Sequence, residues 1–157
     1  DCTTYILNQV QASGCHGFDV RRVAQMTPEE AERLTHFEGI VRHRRKIDAT
    51  IDNARLFMAV QREFGSFYDY VLTFFPDGQP IVNRFRSLAQ VPTVSAEANA
   101  MSRDMKKRGF KFFGPTICYA FLQATGFVDD HLEGCRCKSP DGPTDGTGTA
   151  HRRSSPR

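Results

Sequence analysis

Tryptophan is absent from this 157-residue chain. So is any long apolar run, and a membrane-spanning helix needs about 20 consecutive apolar residues, so no span is expected. No signal-peptide pattern follows Asp1, and a chain that opens mid-pattern without methionine reads as a fragment of a longer protein. Disulfide logic is missing too. The cysteines are Cys2, Cys15, Cys118, Cys135 and Cys137, odd in number and irregularly spaced, which argues against a disulfide scaffold and for a reducing, cytoplasmic setting. A large excess of one charge is also lacking: the formal net charge is +3. What remains is a globular composition, 39% apolar and 25% charged, in a length that suits one domain with a real core.

The distribution of charge says more than its sum. Arg42, Arg44, Arg45 and Lys46 surround His43, and Lys106, Lys107 and Arg108 form a second basic block. One such block is usually a solvated helix face, but two in a mostly helical chain make a polyanion a partner worth testing.

Nearly every segment with a clear pattern is helical, so an all-α fold is expected. Thr27-Pro28-Glu29-Glu30 is a capping box with proline at the first helical position, opening a helix that runs to about Glu38 and stops at Gly39. A long helix follows from about Val41 to Phe64, with Ile47, Ile51, Ala54 and Met58 as its buried stripe. Gly65 ends it, and Ser66 caps a helix through Tyr70 and Phe74. Residues 76–80 (PDGQP) read as a turn and 81–94 as irregular. Ser95 caps a helix to Arg108, with Ala98, Met101 and Met105 inward, and a further helix runs from Pro115 to Thr125, before Gly126. Cys118 falls in that apolar pattern as a core residue. The division expected is one helical domain over 1–137 and a disordered tail over 138–157, whose Gly, Pro, Ser and Thr cannot bury enough surface to offset ordering entropy. The first twenty residues carry only a weak helical pattern.

The stretch KKRGFKFFGPTICYAF, from Lys106 to Phe121, carries the first chemical signal. Glycines at 109 and 114 permit unusual backbone angles and a close approach by a partner. A helix starting at Pro115 leaves free amide hydrogens around Gly114 to Ile117, where the helix dipole adds partial positive charge. A phosphate fits there, and the preceding basic run raises its local affinity. Such contacts position a protein on DNA without reading sequence. The candidate DNA-contacting residues are Lys106, Lys107, Arg108, Gly109, Phe110, Lys111, Gly114 and Thr116.

Three longer segments widen this reading: GIVRHRRKIDATIDNARLFMAVQREFGSFYDYV, PIVNRFRSLAQVP and MKKRGFKFFGPTICYAFLQATGFVDDHLEGC. Together they closely resemble the 3-methyladenine DNA glycosylase I family of the helix-hairpin-helix superfamily, from about Phe18 to Cys135. The resemblance implies an all-α helix-hairpin-helix glycosylase fold, with the hairpin near 96–125, incomplete at the N-terminus. It implies hydrolysis of the N-glycosidic bond of 3-methyladenine in double-stranded alkylated DNA, that is, base excision repair. Methylation at N3 leaves the base cationic and already a good leaving group. The enzyme chiefly flips the nucleotide and holds the base in a stacking, hydrogen-bonding pocket. No redox cofactor is required, and a monomer is expected. By the same resemblance Ala120 lies beside the base pocket, and His131 with Cys135 supplies two of four ligands to a structural zinc, a donor mix zinc accepts. The family's remaining zinc ligands, its base-recognising glutamate and its stacking tryptophan have no match here. Cys2, or Cys15 with His16, is a candidate to complete the zinc site with His131, Cys135 or Cys137. Asp129 and Asp130 precede the zinc histidine and read as a cap or solvated turn rather than as catalytic acids. The chain by itself is expected to be weakly active or inactive. The alternatives are a non-enzymatic helix-hairpin-helix DNA-binding module and a degenerate remnant.

Overall fold

The computed structural model describes residues 19–38, 40 and 42–138. The opening segment with Cys2, Cys15 and His16, the stop at Gly39, the start at Val41 and the tail from 139 lie outside the described residues.

Local signals set most of the elements. Helix α1 (Val20–Ala24) starts at Asp19, whose carboxylate accepts from the Arg21 N–H; its five residues were too few for the sequence pattern to show. Helix α2 (Pro28–Thr35) opens on the expected capping box, with Thr27 and Glu30 satisfying each other's backbone, but it ends at Thr35 with His36 as its cap, about three residues before the expected Glu38. The long helix α3 (Arg44–Phe64) begins after His43, three residues later than expected, and stops at Gly65, whose φ of +87° a helix cannot continue. Ser66 caps α4 (Phe67–Leu72), and Ser95 caps α5 (Ala96–Arg108). Helix α6 (Pro115–Ala124) opens on proline, as read from the sequence.

Residues 81–94 depart from the irregular reading. Strand β1 (Ile81–Val82) pairs in parallel with β2 (Val128–Asp129), and a further bridge joins Phe85 to Leu132. Two-residue strands are too short to show alternation, so nothing in the sequence marks them. The ladder joins the chain before α5 to the chain after α6, and so closes the segment that carries these two helices.

Helix α3 is the spine. Its first half buries Ile47 and Ile51 against Val23, Met26 and Ala31 of the α1–α2 region. Its second half buries Val60 in the main core with Tyr70, Val71, Met101, Cys118 and Leu122. Met101, Cys118 and Leu122 have no solvent exposure at all, so α5 and α6 are packed face to face at the centre. Truncating such a side chain to alanine costs about 2–5 kcal/mol. Burial pushes the Cys118 thiol up to about 12, so it stays an inert core group at neutral pH.

Candidate nucleic-acid interface and metal-ligand cluster

Helices α5 and α6 are joined by the loop Gly109–Gly114, and three side chains fix that loop to the core. Asn53 of α3 makes two hydrogen bonds to one residue: its amide donates to the Lys111 carbonyl and its oxygen accepts the Lys111 N–H, each at 2.9 Å. Ser102, one of the few buried polar residues, donates to the Phe113 carbonyl at 2.9 Å. Asp52 accepts from Lys111 Nζ at 2.7 Å. An open cleft of about 680 Å³ lies beside the loop, lined by Arg45, Lys106 and Lys111 among others.

The two glycines play different parts. Gly109 takes φ +99° as the cap of α5, and its N–H donates back to Lys106. Gly114 has an ordinary φ of −76°, and a Cβ built there meets nothing within 4 Å. The backbone freedom expected of both glycines is therefore used only at Gly109; the second left-handed residue of the loop is Phe112, at φ +57°. At Gly114 no side chain caps α6, whereas Thr27, Ser66 and Ser95 cap their own helices. The first amide hydrogen bond of α6 runs from Cys118 to the Gly114 carbonyl, so the amides of Thr116 and Ile117, both exposed, have no helical partner.

The sequence-selected DNA residues divide accordingly. Lys106 and Lys107 are exposed on α5, and Thr116 and Gly114 are exposed at the start of α6. Two others need correction as outward contacts. Phe110 is only 9% exposed and belongs to the main core, because the chain turns back onto Met105 after the Gly109 cap. Arg108 is already committed. It makes a two-pronged contact to Glu63 at 2.6 and 3.0 Å, donates to Asp104 at 2.7 Å, and lies 5.2 Å over the rings of Phe64 and Tyr70. Asp104 also accepts the Tyr70 hydroxyl at 2.9 Å. Burial pushes the Asp104 carboxyl up, but Arg108 and Tyr70 outweigh it and hold the group below the usual carboxylate range. Burial, with Asp104 beside it, raises the Tyr70 phenol well above its ordinary value, so it remains a donor. Lys111 lies between these cases, exposed yet paired with Asp52.

Ala120 is exposed on α6. Beyond that helix, Asp130 accepts from Asn83 and Gln123, each at 2.7 Å, and from the Tyr119 hydroxyl. That half-buried carboxylate ties the ends of β1 and β2 to α6, a structural role, though neither the cap nor the solvated turn expected of it.

The turn after β2 collects metal donors. Ligand atoms of His131, Cys135 and Cys137 all lie within 4.8 Å of one another. Two ligands of one zinc are separated by roughly 3.5–4 Å given its bond lengths, and all three side chains are exposed. Asp129 Oδ1 accepts from the His131 backbone at 3.0 Å and contacts its Nδ1 at 2.8 Å, which orients the ring and leaves Nε2 for a metal. The Cys137 N–H points to Cys135 Sγ at 3.5 Å. Lys138 Nζ, only 5% exposed, donates to the Asn83 and Asp129 carbonyls and pins the turn to β1. One imidazole and two thiols are donors of the kind zinc takes, and they make three of the four ligands of a structural site. Cys137, named from the sequence only as an alternative ligand, lies beside both His131 and Cys135.

Comparison with known proteins adds the following. A family model described as methyladenine glycosylase matches residues 7–138. DNA-3-methyladenine glycosylase 1 of Escherichia coli (strain K12) is 46% identical over 122 residues, covering 78% of this chain and 65% of its own length. A crystal structure of 3-methyladenine DNA glycosylase I superposes with a TM-score of 0.77 at 44% identity, covering 85% of this chain and 73% of that one. A structure titled for 3-methyladenine recognition by the Staphylococcus aureus glycosylase gives a TM-score of 0.76 at 28% identity, covering 88% and 81%. The chain thus spans about two thirds of the length of the curated relative.

Proposed function

Since the chain belongs to the methyladenine glycosylase family, we propose that it acts in base excision repair, gripping alkylated duplex DNA for hydrolysis of the 3-methyladenine N-glycosidic bond. The observation that carries this reading is the start of α6. Uncapped amides, a glycine with open space where a side chain would stand, and the exposed Lys106 lining the same cleft form a seat for a backbone phosphate. Phosphate held there fixes the register of the duplex. The base is then turned out toward the face carrying Ala120, where its positive charge makes it leave readily once water attacks the sugar carbon.

Two assays test this together. The 157-residue chain should bind methylated duplex, with affinity falling steeply as salt rises. Release of 3-methyladenine should be slow or absent, because the family's base-recognising glutamate and stacking tryptophan have no match among these residues. Binding that ignores salt removes the phosphate seat. Brisk release of free base would instead show that the residues present suffice.

The same proposal includes a structural zinc held by His131, Cys135 and Cys137, with Asp129 orienting the imidazole. When bound, the ion supplies cross-linking rather than chemistry: it fastens the turn that follows β2. Metal analysis after purification should find one zinc per chain, and Cys137→Ser should lower that occupancy. Full occupancy in the variant would exclude Cys137 as a ligand.

A further inference from the structure

Phe112 is the loop residue that the phosphate seat leaves unused. Its φ of +57° is a left-handed backbone that disfavours bulky L residues and that glycine or asparagine adopts far more readily. The fold enforces it from both sides. Lys111 is held at its N–H and its carbonyl by Asn53, and the Phe113 carbonyl is held by Ser102. The outcome is an aromatic ring 62% exposed, while Phe110 and Phe113 on either side pack against the core. Glycine would give the same turn without strain, so the ring does not serve the turn.

Its surroundings indicate what it meets. Arg45 and Lys106 line the same cleft, and among the described residues neither makes an ion pair, while the cleft's one carboxylate, Asp48, is paired with Arg44. A flat apolar ring flanked by unpaired cations complements a polyanion that presents flat apolar faces, which is a nucleic acid. In paired duplex those faces are covered by stacking; they become free where a nucleotide is unpaired. We propose that Phe112 stacks on an unpaired base next to the phosphate seated at the start of α6. This inference rests on the DNA reading above.

The test uses the full chain and two 20-base-pair duplexes, one fully paired and one with a single bulged adenine, followed by fluorescence anisotropy across a salt series. The unaltered chain should prefer the bulged duplex by roughly tenfold, the size expected of one aromatic–base stack. Phe112→Asn keeps a residue that tolerates the left-handed backbone. It should erase the preference, leave the salt slope unchanged, and melt no lower than the parent. Phe112→Leu, which keeps apolar bulk without the flat face, should lose the preference as well, and Phe112→Tyr should retain it. Persistence of the preference in Phe112→Asn or Phe112→Leu overturns the inference, as does a parent that binds both duplexes equally. A parent that binds neither duplex in a salt-dependent way overturns the DNA reading, and this inference with it.

Discussion

The two ends of the Gly109–Gly114 loop look alike in sequence and differ in what they serve. At the first end everything faces the chain itself. Gly109 takes a backbone other residues resist, and Arg108 just before it is consumed by Glu63, Asp104 and two rings. At the second end almost nothing is used internally. Gly114 has ordinary angles, and among the described residues nothing crowds it and the amides of Thr116 and Ile117 have no partner. A glycine and a cation are therefore not evidence of binding by themselves. What separates the two ends is whether the chain has already satisfied the groups.

Substitutions should pull this contrast apart. The largest effect is expected from Arg108→Ala, which strips Asp104 and Glu63 of their partner and should cost about 2 kcal/mol in denaturant unfolding, within the usual range for charge-assisted hydrogen bonds. Its effect on DNA affinity should be no more than that loss of folded protein explains. The same network sets an acid limb. Asp104 is held below its unfolded value, so its contribution is present above roughly pH 4 and fades as pH falls through the lower folded value. Asp104→Asn should flatten that limb in a stability–pH profile, and an unchanged limb would assign it to other carboxylates.

Next in size is the glycine pair. Gly109→Ala forces a side chain into a left-handed cap and should cost on the order of 1–2 kcal/mol of stability. Gly114→Ala should leave the melting temperature unchanged within a degree or so while weakening duplex binding about tenfold. If both variants lose stability alike, the contrast between the two ends fails. The smallest effect belongs to Lys106→Gln. One lost phosphate contact should reduce the slope of log affinity against log salt by about 1, with no change in stability; an unaltered slope removes Lys106 from the interface.

The sequence carried the helical part of this fold well, because helix ends are written in short chemical signals. The Thr27–Glu30 box, the Ser66 and Ser95 caps and the stop at Gly65 act within four residues, and all appear where they were read. Long-range pairings were not legible. The β1–β2 ladder rests on two residues per strand, and the grip of Asn53 on Lys111 spans 58 positions. At the site, spacing marked the Gly109–Gly114 loop and the start of α6, but it could not tell the inward Phe110 from the outward Phe112. That choice is made by the turn after Gly109. His131 and Cys135 came from family likeness; Cys137 was one candidate among several, and the fold of the turn brings it to the other two.

The short parallel ladder has a consequence for how the molecule would survive being cut. Between β1 and α5 the chain runs along the surface, and Leu88 is 79% exposed there. A protease that nicked the chain at that point would sever its covalent thread. The ladder of Ile81 with Val128, the Asn53 grip and the Arg108–Glu63 contact would still bind the halves to each other. The nicked molecule should travel as one particle, and two separately made fragments should find one another and rebuild the loop.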